Sequence, residues 1–260
     1  MTDVGAPDAK PGSALLALLR GEVGLSVRYG RPVWEVMVPR LWATLALMGP
    51  ALALSFLLAL GIGLGSARWA RAGFGRGLHA GLLLFSSMPM HWVGLVLVWI
   101  LVVQTGWMTL GDRDPFADPS PSFAQRALPL VTVVAFYVAR WGRHVRSVAL
   151  ERLEASDVRF ARSLGCDEKT ILLRFVAPGA AVPLVALVAQ SFPVLASGLV
   201  VVETVFGYPG MGRLIFDSVV LRDAPVAASG FSLYAGLTFA ATSLGDEVHR
   251  RLDPRVRGRP

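Results

Sequence analysis

Four long stretches of this chain contain no charged residue: Leu41 to Ala67, Gly77 to Gly111, Phe175 to Val202 and Ala224 to Gly245. Each reaches the about 20 residues needed to cross bilayer hydrocarbon as a helix. A fifth apolar piece, Ala127 to Ala139, is closed off by Arg126 and Arg140 and is too short to span alone. Between that piece and the run from Phe175 the pattern changes to helical amphipathicity. Leu150, Leu153, Val158, Ala161 and Leu164 recur at intervals of three to five residues, with Arg152, Glu154, Arg159 and Arg162 on other faces. Gly165 is expected to stop that helix in the left-handed conformation, and Asp167 to cap a second, shorter helix through Leu173. Pro178 and Pro183 mark the turn into the next span.

Composition agrees with this reading. Hydrophobic residues make 54% of the 260, charged residues only 17%, and mean hydropathy is +0.56. Soluble domains carry about 25% charged residues, so the chain is read as an integral membrane protein.

Charge placement decides how many spans there are. The loop with Arg68, Arg71 and Arg76, the insert from Arg140 to Arg174 and the tail from Arg250 to Arg259 hold sixteen of the 25 basic residues. The positive-inside rule places all three on the cytoplasmic side. Two crossings must then separate the first loop from the insert, so the run from about Ala127 to His144 spans, with Arg140 snorkelling toward the cytoplasmic headgroups. The expected fold is all-α and polytopic, with spans at about 41–67, 79–103, 127–144, 180–202 and 225–245 in a membrane domain over 41–247. A cytoplasmic loop covers about 146–178, and a basic cytoplasmic tail 248–260. Five crossings leave residues 1–40 outside, although that tail carries Lys10, Arg20, Arg28, Arg31 and Arg40; its only apolar piece, Ser13 to Leu19, is too short for a span.

Candidate chemistry is sparse. The one cysteine, Cys166, excludes an intrachain disulfide and reads as a tolerated small residue. His79, His91, His144 and His249 lack metal-ligand spacing, so neither a metal nor another cofactor is expected. Gly73-Phe74-Gly75-Arg76-Gly77 lacks the Lys-Ser/Thr pair of a phosphate-binding loop, and no GxSxG or HExxH occurs. No catalytic residue is assigned, and the chain is not expected to hydrolyse ATP. Gly61, Gly63 and Gly65 offer a surface for close helix approach, and Pro50, Pro89 and Pro193 offer bends. Glu203, beside a Gly-Pro-rich segment, reads either as a contact for solute or partner or as a solvated helix end paired with Arg213.

The order of residues in the insert adds a resemblance. Val158-Arg159-Phe160-Ala161-Arg162-Ser163-Leu164-Gly165, then Ile171-Leu172-Leu173-Arg174 and Pro183, resembles the EAA loop of permease subunits in ATP-binding cassette (ABC) importers, in the form found in the dipeptide, oligopeptide and nickel group. Gly21 to Ser26 with Gly30-Arg31-Pro32-Val33, Ser87-Met88-Pro89 with Trp92 and Gly94, Glu203 to Arg213, Arg222 to Val226, and Leu252-Asp253-Pro254-Arg255 are similar to further segments of that group in the same order. The chain departs from the pattern at Val158, where tyrosine is usual, and at Phe175, Pro178 and Gly179, where His, Arg and Asn are typical. Against the family pattern, the amino-terminal span that usually precedes the Gly21 region is expected to be missing from this sequence.

The resemblance implies a type I ABC importer permease, one half of a pore in the prokaryotic inner membrane. Its partners would be a second permease subunit, two ATP-binding cassette ATPase subunits and an extracytoplasmic solute-binding protein, with the lipid bilayer around it and no nucleic acid. Ala161, Arg162, Gly165, Asp167, Glu168 and Lys169 would couple to the ATPase, and Glu203, Phe206, Pro209 and Gly210 would lie in an external segment facing binding protein or solute. Peptides are the expected cargo, with nickel or another small solute as the alternative. A self-contained channel or secondary transporter is the rival class, and no internal repeat supports it.

Overall fold

The computed structural model describes residues 24–106 and 123–252, and within them every regular element is a helix. The segment 1–23, the stretch 107–122 and the last eight residues of the basic tail lie outside the described residues.

Helix α1, Val33–Arg68, runs 36 residues without a break, about 54 Å at 1.5 Å per residue, and keeps both Pro39 and Pro50 inside it. Its first eight residues were expected in the tail; they are helical because Val33, Val36 and Met37 bury against Met211, Leu214, Ile215 and Val226 in a small apolar cluster at one end of the bundle. The other end carries Gly165, and the two are called below the Gly210 end and the Gly165 end.

The expected second span is two helices, α2 (Gly73–Ser87) and α3 (Met90–Val98, continued by a π-helical turn to Gln104), bent by 100°. Pro89 is the cause: it forces Met88 into an extended conformation at φ −85°, ψ 138°, and supplies no amide to carry the helix through. Helix α4, Phe123–Leu153, is a single 31-residue element.

The chain then makes three short steps at the Gly165 end: α5 (Ser156–Ser163), α6 (Glu168–Thr170) and a π-helical turn Ile171–Val176 that feeds α7 (Ala177–Gln190). Two expectations are corrected here. The amphipathic helix through Leu164 is interrupted at Glu154–Ala155, where α4 tightens into i→i−3 bonds and Ala155 turns extended at ψ 151°. The second short helix does not end at Leu173 but runs on into α7. The widened π turn lies directly before Pro178, where a ring without an amide would otherwise clash with the preceding turn.

The expected fourth span is also divided, at Ser191, into α7 and α8 (Phe192–Val205). Pro193 sits in the first turn of α8, the position a helix tolerates best. Ser191 is held in place rather than loose: its Oγ donates to the Leu187 carbonyl at 2.7 Å and accepts from Trp141 Nε1 of α4 at 3.2 Å. Trp141 is 1% exposed, so Trp141→Phe leaves the half-buried Ser191 hydroxyl with one partner fewer and opens a small cavity where the indole's second ring stood. The expected cost is about 1–3 kcal/mol, measured as a lower unfolding midpoint of the detergent-purified protein. Helices α9 (Met211–Val220) and α10 (Ala224–Leu252) complete the bundle, and α10 carries the helix past the expected end of the membrane domain.

Three helical stretches are long and apolar enough to cross a membrane, Val33–Arg68, Glu168–Gln190 and Ala224–Glu247, and the bent α2–α3 pair makes a fourth if counted as one span. The main core joins α1, α4, α7 and α8 around Tyr137, Trp141, Leu184, Leu195 and Leu199. One close helix approach is at Gly63, where an added Cβ would stand 2.6 Å from Val145 and 2.8 Å from the Gly142 carbonyl of α4. Gly61 has open space beside it and Gly65 meets only Trp69 of its own helix, so the contact expected of the glycine triplet belongs to Gly63 alone, with Gly142 as its counterpart.

Candidate functional site

The turn at Gly165 is built from local signals. Gly165 adopts φ +85°, its amide donates to the Arg162 carbonyl at 3.1 Å, and the Cys166 amide donates to the Ala161 carbonyl at 3.2 Å. This pair of bonds closes α5 in a Schellman motif, which needs a left-handed residue where glycine stands. Asp167 then opens α6: its carboxylate accepts from the Thr170 amide at 3.2 Å. Arg162 on α5 donates to both carboxylate oxygens of Glu168 on α6, at 2.8 and 3.3 Å, and so fixes the angle between the two helices. Across the break before α5, Arg152 pairs with Asp157 at 2.6 Å.

Burial separates the two faces of this elbow. Val158, Ala161, Ile171 and Val176 are at most 5% exposed and face the chain's own bundle. Arg162, Gly165, Asp167, Glu168 and Lys169 are exposed. Ala161, expected to ease the approach of a partner, instead packs inward. Leu164, expected on the apolar stripe, is 69% exposed, because the turn into Gly165 rotates it off the buried face. Phe160, also outside the expected set, is 65% exposed. These two apolar side chains are the surface feature the sequence reading missed; the signal was an aromatic residue on the arginine-bearing side of the stripe. Arg162 and Glu168 are engaged with each other, so their first role is to hold the elbow's shape.

Thr170, through its hydroxyl and amide, holds the Asp167 carboxyl below the usual carboxylate range. A depressed carboxylate contributes stability that is fully present above its unfolded pKa of about 3.9 and is lost as pH falls through the lower folded value. The α6 cap is therefore expected to be indifferent between pH 5 and 8 and to loosen only below about pH 4. Hydrogen exchange at the Thr170 amide checks this; Asp167→Asn, which keeps a neutral acceptor, is expected to remove the acid sensitivity.

The second group of expected residues lies at the Gly210 end. Glu203, Phe206, Pro209 and Gly210 are all buried within the chain, which corrects both readings of Glu203, as an outward contact and as a solvated helix end. Glu203 is 0% exposed; its Oε1 accepts from Thr44 Oγ1 of α1 at 2.6 Å and its Oε2 accepts from the Arg213 amide at 3.0 Å. Thr44 Oγ1 accepts in turn from the Met211 amide at 2.8 Å. The carboxylate thus satisfies the start of α9, directly at Arg213 and through Thr44 at Met211, and ties it to the first third of α1. Gly210 is required because a Cβ there would stand 2.1 Å from the Glu203 carboxyl group. Arg213 reaches Glu203 through its amide only; its guanidinium donates to the Gly207 carbonyl at 2.7 Å and lies 3.6 Å from Asp217.

A parallel clasp holds the segment before α1. Asp223 accepts from Ser26 Oγ, from the amides of Val27 and Arg28 at 3.3 Å each, and from the Val226 amide at 3.5 Å in the first turn of α10. Arg222, just before it, takes φ +58° to close α9. Among the described residues no group of three or more His, Cys, Asp or Glu is placed to hold a metal ion.

Known proteins share this architecture. Residues 58–258 match the family described as binding-protein-dependent transport system inner membrane component. The chain is 31% identical over 92% of its length to a probable peptide ABC transporter permease protein of Sinorhizobium fredii, covering 77% of that protein. It is 29% identical over 92% of its length to an oligopeptide transport system permease protein of Bacillus subtilis, again covering 77%. Among solved structures, an amino acid ABC transporter with histidines superposes with a TM-score of 0.65 at 18% identity, covering 91% of this chain and 98% of that one. An inward-facing methionine ABC transporter gives 0.62 at 20% identity, covering 85% and 98%.

Proposed function

The chain belongs to the binding-protein-dependent transport system inner membrane components, and from that premise we propose that it is the permease subunit of an ATP-driven importer of peptides. It forms one half of the pore. A second permease subunit forms the other half, two ATPase subunits supply the energy, and an external solute-binding protein delivers the cargo. The peptide assignment follows the relatives named for peptide and oligopeptide transport.

The observation that carries the coupling role is the continuity of Glu168 to Gln190, a 23-residue helical stretch whose first residues are the exposed side of the Gly165 elbow. A push on Glu168 or Lys169 is delivered along that stretch to Ser191, where Trp141 links it to α4. Nucleotide-driven closure of the ATPases would thereby rock the spans between inward and outward openings. The Gly165 end is assigned to the cytoplasm by its excess of arginine, and the Gly210 end to the outside. Five spans follow when α4 and the divided α7–α8 pair are each counted as one. Phe160 and Leu164 join Gly165, Asp167, Glu168 and Lys169 as the surface offered to the ATPase, with Arg162 fixing its shape. Glu203 and Gly210 support the external face from within.

Reconstitution tests this reading. ATP hydrolysis is expected only when the chain is assembled with ATP-binding subunits, and it should rise with peptide-loaded binding protein. Peptide accumulation driven by this chain alone, without ATP, would overturn it.

A further inference from the structure

A polar groove of about 420 Å³ opens between the end of α2, the middle of α4 and the side of α7. Its polar lining is Ser86, Arg140, Arg143, His144 and Ser147, with Trp141 and Leu187 on the apolar side. The four α4 residues fall at i, i+3, i+4 and i+7, so they form one stripe, and Arg140, Arg143 and Ser147 are exposed. The opposite side of the same helix is core, with Val145 and Ala149 fully buried. Arg143 donates to Ser86 Oγ at 2.7 Å, a neutral partner, and among the described residues neither Arg140 nor Arg143 is paired with a carboxylate. Arg146, one turn along, bonds Ser66 near the end of α1, so the stripe lies beside the last turns of α1, toward the Gly165 end. Guanidinium groups at the end of a span reach headgroups, a water-filled cavity or an anionic partner, and the polar groove supplies a cavity here. A planar fork with free donors fits a carboxylate in two-point geometry.

We infer that this groove is an anion subsite on the inner half of the translocation path, where Arg140 and Arg143 take the carboxylate of a passing peptide. The inference rests on the import reading and adds to it a location and a chemical preference. Ser86 and Ser147 supply neutral hydrogen-bond partners around the fork, and water access leaves the attraction weak enough for release.

Ser147→Cys in a Cys166→Ser background, within the assembled transporter in inverted membrane vesicles, tests it. Rates are measured with an anionic and a cationic methanethiosulfonate reagent, each normalised to its rate with a free thiol. The anionic reagent is expected to be favoured about tenfold, and tri-alanine, but not tri-alanine amide, should slow it. Arg140→Gln with Arg143→Gln should bring the two rates to parity. Arg140→Lys with Arg143→Lys, which keeps the charge and the assembly, should keep the reagent preference and lose the tri-alanine protection. Failure of both reagents to react would place the stripe away from water, against lipid tails or a protein neighbour, and overturn the inference. So would a preference that survives the Gln pair, or equal protection by the amide. If the import reading alone fails, stimulated ATP hydrolysis is absent while the charge preference remains; if the subsite alone fails, the reverse holds.

Discussion

Glu203→Ala is expected to destabilise the protein by about 3–5 kcal/mol, from two buried groups left without an acceptor at about 1–3 kcal/mol each and a cavity besides. The side chain is fully buried, and its two oxygens serve the Thr44 hydroxyl of α1 and the Arg213 amide of α9. Removing it strands both groups, and through Thr44 it loosens the Met211 amide as well. Gly210, which packs directly on the carboxyl group, loses its neighbour too. Glu203→Gln preserves the volume and one acceptor oxygen, so its cost should be about 1–2 kcal/mol. The midpoint of thermal or denaturant unfolding of the purified assembly orders the three proteins, and binding-protein-stimulated ATP hydrolysis should fall in the same order. An alanine variant with unchanged stability that has lost only binding-protein docking would restore the outward reading of Glu203.

Gly165→Val is expected to act differently, on coupling rather than on the bundle. A β-branched residue at φ +85° carries a strain of about 1–2 kcal/mol, which lowers the population of the native elbow about 5- to 30-fold. Nothing stands within 4 Å of an added Cβ there, so the penalty is backbone conformation and not a clash. Uptake should fall by a comparable factor while the unfolding midpoint of the membrane bundle changes little, because Val158, Ile171 and Val176 still anchor the surrounding helices. Gly165→Asn, which tolerates the left-handed region far better, should retain most of the transport.

The contrast between these two sites explains how far the sequence could be read. The Gly165 elbow was legible because each part is local. A glycine supplies the left-handed residue, and an aspartate two positions on supplies the cap, both within one turn of where they act. The Glu203 clasp was not legible, because its partner Thr44 is 159 residues away and a lone carboxylate beside Gly and Pro reads as a wet helix end. The apolar runs were visible as membrane segments, and Pro89 and Pro193 were visible as bends. Hydropathy is blind, however, to whether a proline merely sits in a helix, as at Pro50, or divides it, as at Pro89. The break at Ala155 had no clear signal, since Glu154-Ala155-Ser156 is compatible with helix and the turn is fixed by the burial of Val158 and Leu153 together with the Arg152–Asp157 pair across it. The α4 stripe was present as spacing, but two arginines beside a basic loop look like ordinary cytoplasmic charge until the groove between α2, α4 and α7 gives them a wall to face.

Cys166 makes the coupling claim directly measurable, because it is the single cysteine, partly exposed, and adjoins Gly165 at the elbow. In a transport-competent assembly reconstituted from all subunits, each ATPase bearing one engineered cysteine along its membrane-facing groove, oxidation should link Cys166 to the ATPase, with a yield that changes when nucleotide is added. A link from Cys166 to the external binding protein, or no link to any ATPase position while uptake continues, would contradict the account.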